Sequence, residues 1–277
     1  MPPPCVYMCP VCGQGLARQE TRYVCEGGHS FDIAREGYVN LLLAQQKKTA
    51  EPGDSPAMIR SRRAFLAQGH YDPVAATLSR ILCDTAPRPN QILDAGCGEG
   101  FYLWKLSASL QEQGLRDACG LWGCDIAKAG IRAAARRDQT SNLAVASSYR
   151  LPFLPQSLDA VLCVFAPVAA QEYRRILRGD GRLLVVGPGP RHLDGLRRLV
   201  YSAPRTHPPA ARPEGFDLVG HETLSYGLQL KDAESVGHLV SMTPYYWHMD
   251  AETQARVLNT PTLDTTVDIS FSLYRRA

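Results

Sequence analysis

No apolar run in these 277 residues approaches the ~20 needed to cross a bilayer as a helix, so no membrane partner is expected. The opening "MPPPCVYMCP" lacks a positive stretch followed by an apolar one, and no secretory signal is expected. Charge of one sign is scarce as well. Lys and Arg number 30 against 27 Asp and Glu, a formal net of +3, too little to identify a nucleic-acid binder by itself. A disulfide framework is equally unexpected: the nine cysteines are an odd number, and Cys83, Cys124 and Cys163 lie inside apolar segments. Buried thiols in a reducing compartment fit that pattern, and the expected location is cytoplasmic. Internal repeats and low-complexity segments are missing too. What is there, at 45% hydrophobic and 21% charged residues, is an ordinary globular composition, long enough for one full domain and a small accessory one.

The first stretch with chemistry in it is "CPVCGQGLARQETRYVCEGGHSF". Cys9 and Cys12 form a CxxC knuckle, a turn that lets two sulfurs face one point; Cys25 and His29 form a second half, with Gly27 and Gly28 between them. Zn²⁺ takes four tetrahedral thiolate and imidazole ligands, so this spacing predicts a zinc ribbon with "RYVC" as a short strand. A redox CxxC would need a βαβ context, and none surrounds it. Cys5 is a spare thiol that could compete for the site. Four protein ligands close a site, so its role is structural.

"FDIAREGYVNLLL" reads as a turn and then a strand from Tyr38 to Leu43, and "AQQKKTAEPGDSP" as a polar linker. Ser55 and Pro56 suit the N-cap and first position of a helix reaching about Gln68 and stopped by Gly69. Asp72 and Pro73 repeat the device for a helix to about Leu82, which leaves Tyr71 at the corner, where packing alone would account for it. The expected division is a zinc ribbon over 1–43, a linker and connecting helix over 44–70, and a catalytic domain over 71–277. Two basic clusters stand out: Lys47, Lys48, Arg60, Arg62 and Arg63, and the arginines from Arg174 to Arg212. Each is either a solvated helix face or a surface for a polyanion.

"QILDAGCGEGFYLWKL" carries the strongest signal. An apolar strand runs into Gly96, Gly98 and Gly100 and then an amphipathic helix, so the backbone can approach a ligand where open α/β sheets bind cofactors. A dinucleotide fold would want GxGxxG; here the sixth position is Phe101. Asp94 before the first glycine argues against a pyrophosphate and for a cation, and S-adenosylmethionine is a sulfonium with an α-amino group. The next strand, "GLWGCD", ends at Asp125, placed to accept from both ribose hydroxyls. The strands "NLAVAS", "SLDAVLCVFAP" and "RLLVVGPGP" alternate with helices. "FDLVGHETLSYGLQL" and "TTVDISFSLYRR" come last. The fold class predicted is a class I, Rossmann-like methyltransferase: a mostly parallel doubly wound sheet with an antiparallel edge, plus the ribbon.

Enzymes that methylate exocyclic base amines often show Asn-Pro-Pro-aromatic after the fourth strand. Here stand Phe165, Ala166 and Pro167. No Asn or Asp is there to accept from an amine, although Phe165 and Pro167 could wall a flipped base or simply end a hydrophobic strand. Taken together, the ribbon, "FDIAREGYVNLL", "PGDS", "RRAFLAQGHY", "LDAGCGEG", "ASSYRLPF", "FAP" and "GPRHL" resemble the bacterial 23S rRNA guanine-N1 methyltransferases, the RlmA enzymes and their macrolide-resistance relatives. The resemblance covers nearly the whole chain. It implies methyl transfer from S-adenosylmethionine to N1 of one guanine in a 23S rRNA hairpin loop near the peptide exit tunnel. It also implies cofactor contacts from Tyr71, Gly98, Glu99 and His192. The "CGEG" and "ASSYRLPF" forms look closer to the Gram-negative branch than to the resistance branch, which methylates a neighbouring guanine. No residue is named as acceptor for the N1 proton, and a homodimer is left open. The alternatives are a class I enzyme acting on a quinone or lipid, and a non-enzymatic zinc-ribbon RNA-binding protein with a relic cofactor fold. A chain truncated before Met58 is expected to keep part of its cofactor binding, since Tyr71 survives, and to lose rRNA methylation.

Overall fold

The computed structural model describes residues 4–46, 49, 52–201, 203–208 and 210–277, without the side chains of 247 and 248. Lys47 and Lys48 of the first basic cluster therefore lie outside the described residues. The ribbon is a three-stranded antiparallel sheet of β1 (Ala17–Arg18), β2 (Arg22–Val24) and β3 (Ser30–Asp32).

The next strand, β4 (Tyr38–Asn40), is shorter than the span to Leu43 and does not belong to the ribbon. It runs parallel to β7 (Asn142–Val145) as the edge of the main sheet. β4, which the sequence reading places in the ribbon segment 1–43, thus hydrogen-bonds to the main sheet. Tyr38, Val39, Leu41 and Leu42 are all buried. Three short strands have no interior for four such side chains, whereas the open edge of β7 offers both a hydrogen-bonding partner and a core.

Helix α1 (Pro56–Ala67) starts as predicted: Ser55 Oγ accepts from the Met58 amide at 3.3 Å, and Gly69 at φ +80° ends it. Helix α2 (Asp72–Cys83) differs in its cap. Tyr71 holds the N-cap position with no side-chain hydrogen bond, while the Asp72 carboxylate pairs with Lys105. Then follow β5 (Gln91–Ala95), α3 (Phe101–Glu112), β6 (Gly120–Asp125), α4 (Lys128–Arg137), β7, β8 (Leu158–Val164), α5 (Ala170–Ile176), β9 (Leu177–Pro188) and α6 (Asp194–Val200). After α6 come β10 (Phe216–Leu230), α7 (Ala233–Ser241), α8 (Ala251–Leu258) and β11 (Leu263–Arg276). The sheet order is β10-β11-β9-β8-β5-β6-β7-β4. From β4 to β9 neighbours are parallel; β11 lies antiparallel to β9, and β10 to β11. The parallel sheet with an antiparallel edge is the class I methyltransferase fold expected.

Alternation along the strands sorts the core into two faces. On one, Ile92, Leu121, Leu143 and Leu162 pack beneath residues of α2, α3 and α4. On the other, Leu93, Trp122, Ala144 and Val161 meet Tyr173 and Ile176 of α5 and also Tyr7, Leu16 and Tyr23 of the ribbon segment. Parallel strands are usually joined by a crossover helix, yet among the described residues none lies between β7 and β8. The N-terminal segment fills that place. The Met8 amide donates to Pro152 O at 2.9 Å, the Leu154 amide donates to Val6 O at 3.0 Å, and the Tyr7 ring stands edge-on to Trp122 at 4.8 Å.

Candidate functional site

β5 delivers Asp94 to the carboxyl end of the sheet. Gly96, Gly98 and Gly100 then turn the chain at φ +85°, +55° and +80°. The turn leaves no room for other residues: a Cβ on Gly96 would stand 2.7 Å from the Cβ of Ala166, and one on Gly100 2.7 Å from that of Ala134. Asp94 is 1% exposed, and neither carboxylate oxygen has a hydrogen-bond partner. Burial, aided by the charge of nearby Asp125, pushes its carboxyl up to about 7. An uncompensated buried carboxylate is costly, so this one is built to receive a cation or a donor.

Asp125, at the end of β6, is half-buried and already engaged. Its Oδ2 accepts from the Gly98 amide at 2.9 Å and its Oδ1 from the Ala127 amide at 2.7 Å. Each oxygen keeps a lone pair for a further donor while holding the glycine turn. Burial still raises its pKa, against those two hydrogen bonds. Glu99 is 1% exposed and accepts from Arg137 Nη2 at 2.5 Å, while its Oε1 is unpartnered.

Across the cavity, Tyr71 Oη faces His192 Nε2 at 3.4 Å. His192 Nδ1 accepts from the Asp268 amide at 3.3 Å, which puts the ring proton on Nε2, toward the tyrosine. Burial above all, then His207 and Arg197, lowers the His192 pKa to about 3. The imidazole stays neutral and adds no positive charge against a sulfonium. Phe165 stacks on it, centroids 5.8 Å apart at 23°. Phe165 is 43% exposed and sits at φ +50°, a left-handed conformation that an aromatic residue holds only where its surroundings enforce it.

All seven residues proposed for the cofactor, and both proposed for a base, line one cavity of about 730 Å³. Sequence reasoning missed some of its lining. Arg62, grouped in the sequence with the basic cluster of Arg60 and Arg63, turns inward, pairs with Asp54 at 2.5 Å and stands near Gly98. Tyr102, Thr243 and Tyr245 close the cavity from distant parts of the chain.

In the ribbon, donor atoms of Cys9, Cys12, Cys25 and His29 lie within 4.8 Å of one another, and Cys5 is not among them. Cys12 Sγ is 3.6 Å from Cys25 Sγ, which is 3.4 Å from His29 Nδ1. A tetrahedron with Zn–S bonds of about 2.3 Å has sulfur–sulfur edges of about 3.8 Å, so the donors fit zinc. Although burial opposes it, hydrogen bonds from His29, Cys12 and Cys9 bring the Cys25 thiol down to about 6, into thiolate range at neutral pH.

Residues 7–50 match the family model described as RlmA, N-terminal, a zinc ribbon, and residues 92–187 match a methyltransferase domain. Over 281 residues the chain is 36% identical to the 23S rRNA (guanine(748)-N(1))-methyltransferase of Streptomyces fradiae, covering 96% of this chain and 95% of that protein. Over 275 residues it is 37% identical to a protein of Micromonospora griseorubida, 90% of each being covered, provisionally named a 23S rRNA (guanine-N(1)-)-methyltransferase. YxjB of Bacillus subtilis (strain 168), named provisionally in the same way, is 29% identical over 276 residues, 95% of each chain.

Proposed function

The chain belongs to the RlmA-type family of 23S rRNA (guanine-N1)-methyltransferases, and from that premise we propose that it methylates N1 of guanine 748, the position in the name of its Streptomyces fradiae relative. This departs from the branch expected on "CGEG" and "ASSYRLPF". The observation that carries the reading is the unpartnered, buried Asp94 carboxylate in a cavity that the exposed Phe165 also lines. When bound, S-adenosylmethionine supplies an electrophilic methyl group. Asp94 would hold its cationic amino acid end, Asp125 and the glycine turn its ribose, and Tyr71, Glu99 and His192 the remainder. Phe165 and Pro167 would stack the target guanine out of its loop, with proximity and alignment providing most of the acceleration. No side chain of the cavity is assigned as acceptor for the N1 proton, which leaves to solvent.

The ribbon, closed around zinc, serves RNA recognition rather than chemistry. Functionally it ends with β3, and the catalytic unit takes in β4. None of the nine cysteines forms a disulfide, and no described helix is long and apolar enough to cross a membrane. The 23S rRNA named for its relative is the substrate that makes cytoplasmic action the reading.

Primer extension tests the position, since an N1 methyl blocks Watson–Crick pairing and stops the polymerase. Treated 23S rRNA should stop at guanine 748; a stop at a neighbouring guanine refutes the position, and no stop refutes the activity. Phe165→Ala should lower kcat/KM by roughly 5- to 150-fold, the 1–3 kcal/mol of one base–aromatic stack, with a smaller change in S-adenosylmethionine affinity. Elemental analysis should find one zinc per chain, lost in Cys12→Ser and kept in Cys5→Ser. The reverse pattern would overturn the ligand assignment.

A further inference from the structure

Beside the cofactor cavity, and sharing Gly53, Asp54 and Ile126 with it, lies a second groove of about 680 Å³ between α1, α4 and the ends of β4 and β7. Its charge is one-sided. Lys128, Arg132 and Arg136 line it from α4, and Arg60 and Arg63 from α1. Residues four apart share a helix face, so the α4 cations form a single stripe, each step advancing ~6 Å along the helix axis. Opposing carboxylates are few. Glu36 accepts from Arg132 at 2.6 Å and Arg136 at 3.2 Å, and Asp54 is committed to Arg62. Arg60, Arg63 and Lys128 are exposed and, among the described residues, make no hydrogen bond or salt bridge, although the charge of Arg63 is felt by Glu99. Like charges gathered in a concave surface repel one another and focus a positive potential, which an anion relieves.

We infer that this groove seats the phosphodiester backbone of the substrate rRNA next to the nucleotide that enters the cofactor cavity. The inference rests on the activity proposed above and adds a site to it. Regularly spaced cations suit a chain of regularly spaced phosphates. Continuity with the cofactor cavity means that one strand can occupy both, its backbone in the groove and one base turned inward. Arg62 is no part of this grip, because it faces the cofactor side. Contacts of this kind position the RNA without reading its sequence.

The test is the triple variant Arg60→Gln/Arg63→Gln/Lys128→Gln, whose exposed side chains can change without touching the core. S-adenosylmethionine affinity, measured by calorimetry, should stay within two-fold of wild type and certify the fold. Binding to a 23S rRNA transcript should weaken more than ten-fold at low salt. The slope of log affinity against log salt should become shallower by about 2–3, one phosphate contact being lost per cation. An unchanged slope and affinity for the transcript would overturn the inference and leave the groove to an acidic protein partner. A wild-type chain that binds the transcript but methylates no guanine would sink the proposed activity instead, while the slopes of the two proteins still decide the groove.

Discussion

Asp94→Asn is expected to produce a ligand-free chain that melts higher than wild type at pH 8, yet binds S-adenosylmethionine at least a hundred-fold more weakly. Both effects have one origin. Asp94 is 1% exposed, its oxygens have no partner, and its pKa is pushed up to about 7 by burial and by Asp125. Unfolded, the same carboxyl titrates near ~3.9. Between these values the folded chain holds a proton that the unfolded chain has lost, so the stabilisation is whole below about pH 4 and disappears as pH rises to about 7. The full difference is on the order of 4 kcal/mol at most. An amide of the same shape removes that loss, so the variant's advantage should be absent near pH 4 and complete by pH 8. A buried charge pair broken on one side costs about 3–5 kcal/mol, which sets the loss in affinity. Wild-type binding should also release protons between pH 6 and 7, when the cationic ligand draws Asp94 into its ionised form. Calorimetry in two buffers of different ionisation enthalpy reads that release. Affinity retained within ten-fold, or a melting gap independent of pH, would show that Asp94 is not the cation's partner.

The parts of this site that were legible in the sequence are those fixed by neighbours in the chain. Gly96, Gly98 and Gly100 occupy positive φ within a few residues of a strand end, and Asp94 and Asp125 close adjacent parallel strands. Arg62 carries a signal of its inward position. It stands three residues after Ile59, three before Phe65 and four before Leu66, all buried, so the helical period turns it inward, whereas Arg60 and Arg63 point away. Helices α7 and α8 are missing from the sequence reading despite their caps: Asp232 accepts from the Ser235 amide and Asp250 from that of Thr253, each at 2.7 Å. The pairing of Glu99 with Arg137, the place of β4 beside β7 and the missing crossover helix before β8 depend on residues far apart in sequence. No local pattern announces them.

That missing helix changes what removal of the ribbon should do. The sequence suggests a detachable reader whose loss leaves part of the cofactor binding intact. In the fold, Tyr7 is fully buried among Tyr23, Trp122 and Phe153, with ring centroids 4.8–5.3 Å away. The same N-terminal region also supplies β4, whose Tyr38 and Val39 are buried at the sheet edge. A chain beginning at Met58 would therefore lose an edge strand and uncover one sheet face around Trp122. Stripping a core aromatic alone costs about 3–5 kcal/mol, and a domain has only about 5–15 kcal/mol in total. The truncated chain is expected not to fold cooperatively, and S-adenosylmethionine binding should be absent rather than reduced. A pair of substitutions in the full chain separates packing from metal binding. Tyr7→Ala should lose about 3–5 kcal/mol of stability with zinc retained. Tyr7→Phe should be neutral or slightly stabilising, because the buried Tyr7 hydroxyl has no partner to lose. Zinc chelation should shift the fluorescence of Trp122 as the ribbon comes away from it. If the chain from Met58 onward instead melts in a single transition and binds S-adenosylmethionine as the whole protein does, the ribbon is no part of the catalytic core, and its contacts with Trp122 and Phe153 carry none of the stability assigned to them.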